Sequence, residues 1–185
     1  MGGLPTAEQL AKLPLRAIAA YAARCARRRG LLLRGAIADE IIESPLKITE
    51  KLASVRELDY SDGVTVALAA KRLAAEMDDL PSHQARAALG LFRLMHVVGG
   101  IITVAQGRAD PQHIHNQIVD AARAAAAIPD SDVIDESAVA ARIAAMHDYE
   151  ILLRSFGEHD RLVLGEPIDL SDQWWQKEGA KSAHL

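Results

Sequence analysis

A chain of 185 residues is the length of one domain, with room for a real core. Half of it is apolar but only 4% is aromatic, so alanine, leucine, isoleucine and valine must build that core, and a lone cysteine, Cys25, excludes an internal disulfide and suits a reducing compartment. The net charge of −4 is unevenly placed: residues 1–36 hold seven Lys/Arg against Glu8, giving +6 and leaving −10 for the rest, an asymmetry that can mark a nucleic-acid or acidic-partner surface.

Glu8, Lys12 and Arg16 break up the N-terminus too early for a secretory leader. Pro14 stands where a first-turn proline would, and the helix it opens runs to a stop at Gly30. Ser44 and Pro45 open a second helix, to about Leu58, and Ser61 caps a third that ends at Pro81. Ser82 opens a fourth, closed by Gly107; its apolar run from Leu89 to Val104 contains Arg93 and His96 and falls short of a membrane span. Asp110-Pro111 is a cap plus first-turn proline for a fifth helix, stopped by Pro129. Ser131 or Asp132 starts the last, which ends near Gly157. No stretch alternates with a period of two, so strands are not expected. The expected fold is all-α: an antiparallel bundle of about six helices over residues 1–156, with an irregular tail over 157–185. The expected location is the cytoplasm, away from membranes.

The first helix carries Arg16, Arg24, Arg27 and Arg28 within an arc of about 120°, opposite Leu15, Ile18, Ala22, Cys25 and Leu32. Arg24, Arg27 and Arg28 are thus candidate phosphate or acidic-partner ligands. The plainer account is preferred, because no aromatic platform accompanies them. In it they complement the helix dipole and pair with Asp39, Glu40 and Glu43. Metal binding is not expected: His113 and His115 point about 160° apart on one helix, and no His-Glu-x-x-His or cysteine cluster occurs. No phosphate-cradling loop or nucleophile elbow appears, so no cofactor is expected. Gly99-Gly100 inside a helix implies a close helix crossing or a kink.

The stretch RIAAMHDYE, residues 142–150, holds the residue types that chemistry uses. Histidine transfers protons near neutral pH, and arginine stabilises charge developing on a phosphate. Arg142, His147 and Tyr149 resemble the R-x4-H-x-Y signature of HEPN-type toxin ribonucleases, which are compact and all-helical. That resemblance implies that the arginine and histidine act on the scissile phosphate of RNA at a dimer interface, supported by Tyr149 and Glu150. Helical geometry gives a different emphasis. Val139, Ile143, Met146 and Leu153 form an apolar stripe, and alanines 138, 140, 141, 144 and 145 fill most of the remaining circumference. Such a helix is expected to be buried, with Arg142 and Glu150 inside a structural polar network and Glu150 paired to Arg154.

Over the whole chain, LPLRAIAAYAARCARR, the alanine-rich middle, DYEILLR and GEPIDLSDQWW resemble a group of uncharacterised alanine-rich bacterial helical proteins, and the first helix is similar to that of YjaG-like proteins. This resemblance implies a helical fold and no activity. The leading expectation is a non-enzymatic protein-interaction or regulatory module whose partner is another protein or itself. The alternative is a HEPN-like RNA-cleaving protein using Arg142 and His147.

The tail contains Trp174 and Trp175. Gly157, Gly165 and Pro167 should make it an extended strip, in which Leu162, Leu164, Ile168 and at least one tryptophan pack on the helices while residues from Lys177 onward fray. The functional counterpart is that Trp174 and Trp175 form a hot spot for another protein.

Overall fold

Helix α2, Leu15–Gly30, is the axis of the molecule, because small and apolar side chains cover it on almost every side. Twelve of its residues are buried, including Ala17, Ile18, Tyr21, Ala22, Cys25 and, against the expected basic outer face, Arg16. The structure is a computed structural model that describes residues 4–54, 60–105, 110–126, 136–159 and 163–180. Within these residues the fold is all-α, and the one β-type contact is an isolated bridge between Arg34 and Ile37. The other helices are α1 (Ala7–Ala11), α3 (Asp39–Ser54), α4 (Tyr60–Glu76), α5 (Ser82–Ala105), α6 (Pro111–Ala126), α7 (Glu136–Phe156) and α8 (Asp172–Ala180), of which α3, α5, α6 and α7 pack along α2. No described helix is long and apolar enough to cross a membrane.

Side-chain contacts fix the direction of each neighbour. Arg16 at the start of α2 donates to the Leu52 carbonyl at the end of α3 (2.9 Å), while Gly30 at the end of α2 faces Ile42 at the start of α3. Lys51 and Glu40, at opposite ends of α3, meet Asp62 and Arg72 at the start and end of α4, at 2.6 and 3.2 Å. Gly63 of α4 lies against Ile102 of α5, and Gly90 of α5 against Ala124 of α6. From α2 to α6, consecutive helices therefore run antiparallel, as short connections require.

Three expected elements come out differently. Helix α1 is additional: Thr6 and Gln9 form a reciprocal capping box, but five residues are too few to show helical periodicity. Helix α3 begins at Asp39, so Pro45 lies inside it rather than opening it. A proline there removes one backbone bond, and burial of Ile41, Ile42, Leu46 and Leu52 offsets the loss. The third is α8, a helix within the tail that was expected to be irregular. Ser171 caps it, its hydroxyl accepting from Trp174 N while its own N–H donates to the Asp169 carboxylate, and Lys177 belongs to its last turn rather than to a frayed end. Ser61 lies one residue inside α4, and Pro14 is the N-cap of α2 rather than its first helical residue. Asp110 caps α6 as expected, its carboxylate accepting from Gln112 N at 3.0 Å. The expected boundary residues Leu58, Gly107, Pro129, Ser131 and Asp132 lie outside the described residues.

The segment before α8 completes the ends of two other helices. Pro14 offers no side-chain cap to α2. The carbonyls of Val163 and Leu164 accept the N–H groups of Leu15 and Arg16 instead, both at 3.0 Å. Five residues on, Ile168 N donates to the Ala53 carbonyl at the end of α3 (2.9 Å). These bonds satisfy groups that helix termini otherwise leave unpaired. Gly165 makes the turn between them with φ +82°, and a Cβ there would stand 2.6 Å from that of Pro14. Ile168 and Trp175 are buried as expected, whereas Leu164 is 48% exposed: this part of the tail docks through its backbone. Leu162 lies outside the described residues.

Candidate functional site

Asp148 is the buried charge of α7, only 2% exposed. It faces α2 because Ala145 and Leu152, one turn away on either side, and the adjacent Tyr149 are buried with it. Arg24 and Arg28 are four apart on α2 and so present both guanidiniums on one face. Arg24 Nε lies 3.3 Å from each Asp148 oxygen, and Arg28 donates to Oδ2. A carboxylate removed from water requires such partners. Helix α8 closes over the pair: the Arg24 guanidinium lies 4.4 Å from the centre of the Trp175 ring and 3.6 Å from Asp172. Trp174 meets Trp175 edge-on at 4.9 Å and stacks on Phe156 at 6.5 Å.

Beneath this cluster lie Tyr21 and Cys25. Burial pushes the Cys25 thiol up to about 12, with Asp148 acting in the same direction and Arg28 against it. Burial, then the neighbouring Cys25 thiol, raises Tyr21 too. Neither group is ionised near neutral pH, so this is not the environment of an activated nucleophile.

A cavity of about 480 Å³ opens beside the cluster, lined by Arg24, His147, Asp148, Trp175 and Gln176. His147 packs against Gly179, where an added Cβ would come within 3.1 Å of the imidazole. The residues of the R-x4-H-x-Y stretch do not converge within one chain. Arg142, His147 and Glu150 are exposed and Tyr149 is buried. Five helical residues place Arg142 and His147 about 140° apart.

The expected burial of Arg142 and Glu150 is overturned. Only the first half of the stripe that was to cover them faces outward, with Val139 40% and Ile143 65% exposed, while Leu153 packs on the core. A helix apolar on nearly all sides carries little directional signal, and Asp148 with its two arginines sets which side turns inward. Arg154 reaches the Glu150 backbone carbonyl (3.2 Å) rather than its carboxylate. Asp148 was missed, although two arginines four apart on an otherwise apolar helix are themselves a sign that a carboxylate faces them.

The remaining arginines of α2 are also engaged. Arg27 pairs with Glu50 and stands 3.7 Å from Glu43, and Arg29 donates to the Ala124 carbonyl (3.2 Å). Of the acids expected to pair with them, Glu43 does so, while Glu40 meets Arg72. Leu32, placed on the inner face by periodicity, is 47% exposed because α2 gives way to a 3₁₀ turn at Leu31. No group of metal-ligating side chains is assembled among the described residues. The side chain of His113 lies outside them, and His115 is buried against the Ala11 backbone. Gly99 does not mark a close crossing: a Cβ there would meet nothing within 4 Å, and the residue lines a groove of about 430 Å³ between α4 and α5.

Compared with known proteins, the chain matches no protein-family model, no curated protein and no solved structure.

Proposed function

We propose that the protein is a helical interaction module that offers the outward face of α7 to another protein or to a second copy of itself. The observation that carries this reading is the exposure of Val139 and Ile143, one turn apart on a helix anchored through its opposite face by Asp148. Ala140 beside them lets a partner backbone approach closely, and Arg142, His147, Glu150 and Arg154 make a polar rim. An apolar centre inside a charged border is how specific contacts are built.

A photo-crosslinking amino acid at position 143, with one at exposed Glu158 as the control, tests it. Sedimentation of the wild type and of Ile143→Asp runs in parallel. Crosslinks at 143 alone, together with association that Ile143→Asp abolishes without loss of helix, support the module. A wild type that stays monomeric at high micromolar concentration and crosslinks equally at both positions refutes it.

RNA cleavage is the second reading, favoured by the solvent exposure of both Arg142 and His147. Their divergence on α7 and the burial of Tyr149 count against it. RNA cleavage that is equal, or equally absent, in the wild type and His147→Ala removes it. Nucleic-acid binding through Arg24, Arg27 and Arg28 is disfavoured because all three already face carboxylates.

A further inference from the structure

A groove of about 700 Å³ lies between residues 4–6, α5 and α6, well within the range of small-molecule sites. Its floor is Pro5, Ala121 and Ala124, and its wall is Phe92, whose ring meets His96 edge-on at 4.5 Å. Arg93 from α5 and Arg123 from α6 stand at its mouth, both exposed.

These two arginines differ from the rest. Every other arginine among the described residues has a partner: Arg16, Arg24, Arg27, Arg28, Arg29 and Arg34 on or just after α2, Arg72 and Arg154 beyond it, and also Arg86 and Arg142. Arg93 and Arg123 alone among them have none, and both edge the same apolar groove. Asp120, the one acid at the rim, has no cation within ion-pair distance among the described residues. The local balance is therefore one positive charge in excess, next to apolar surface.

We propose that this groove binds a small organic carboxylate with an apolar, ring-sized body. The body rests on Phe92, Ala121 and Ala124, and the carboxylate lies between Arg93 and Arg123. A guanidinium presents two parallel N–H groups that match the two oxygens of a carboxylate. Asp120 opposes the anion and sets an upper limit on affinity. The site is separate from the α7 face, and its test does not depend on that reading.

Three shape-matched probes decide it by isothermal titration with the full chain: naphthaleneacetate, the neutral naphthylethanol and the cationic naphthylethylamine. The expected result is saturable binding of naphthaleneacetate at least about tenfold tighter than either of the others. The double variant Arg93→Gln/Arg123→Gln, at exposed positions, should bring the anion down to the affinity of the alcohol. Asp120→Asn should tighten the anion and leave the alcohol unchanged, a response that general loosening of the fold does not produce. The proposal is overturned if the anion shows no saturable binding, if anion and amine bind alike, or if the double variant keeps the wild-type affinity.

Discussion

The Arg24 guanidinium sits 4.4 Å from the centre of the Trp175 ring while its Nε is shared between the two oxygens of Asp148. One side chain thus couples the packing of α7 on α2 to the seating of α8. Substituting Asp148 with alanine leaves two guanidiniums facing each other beside apolar surface. Breaking a buried pair costs about 3–5 kcal/mol. The lower end is expected here because each guanidinium keeps 27% of its surface exposed. Urea unfolding of Asp148→Ala should show a markedly lower midpoint with the slope unchanged, and Asp148→Asn an intermediate one.

Tryptophan emission reports on α8. Trp175 is 4% exposed and Trp174 half-buried, so the native protein should emit to the blue of free tryptophan and resist acrylamide quenching. Trp175→Ala removes a large buried ring, at a cost of about 3 kcal/mol. It should also leave Trp174 emitting like a water-exposed indole. Native emission that already resembles free tryptophan would contradict the docked helix.

The tail's turn at Gly165 is a sensitive point. Alanine there must adopt φ +82° and bring its Cβ to 2.6 Å from Pro14. Strain of about 2 kcal/mol or more is expected for Gly165→Ala. Amide exchange should speed up first at Leu15 and Arg16, whose N–H groups the tail accepts.

Cys25 should be inert toward Ellman's reagent in the folded protein, because burial and a pKa of about 12 suppress its thiolate. Full reaction is expected once guanidinium chloride unfolds the chain. Rapid modification at neutral pH without unfolding would show that α2 is less enclosed than its contacts imply.

His115 gives the fold a pH dependence. Burial lowers its pKa below the ordinary 6.5, although a hydrogen bond with the Ala11 backbone works the other way. The unfolded chain therefore takes up the proton first as pH falls. Stability from this group is complete above about pH 6.5 and is lost below it, toward the folded-state pKa. Urea midpoints should fall between pH 7.5 and 5.5 by more in the wild type than in His115→Phe, a comparison that cancels the other titrating groups.

The bundle was legible because caps and stops are local: Asp110-Pro111 at α6 and Gly157, with φ +71°, at the end of α7 each act within one turn. Helices α1 and α8 were not, since five and nine residues are too short to show a period. The inward face of α7 was misread for a different reason. Its side chains are apolar in nearly every direction, so only the long-range meeting of Asp148 with Arg24 and Arg28 chooses the face, and no local pattern encodes a contact across 120 residues. The unpaired state of Arg93 and Arg123 was hidden in the same way, because it depends on which carboxylates other helices bring near.

Helix α2 ends at residue 30, yet its first turn is completed by residues 163 and 164 and its arginines by residues 148 and 172. A ribosome making this chain will therefore have released nearly all of it before the central helix acquires its last partners. Contacts of such sequence separation slow folding and leave apolar surface open to wrong partners in the interval. Chains halted between residues 126 and 136 should accordingly stay protease-sensitive on the ribosome, and chains extended past residue 175 and clear of the exit tunnel should become resistant in a single step.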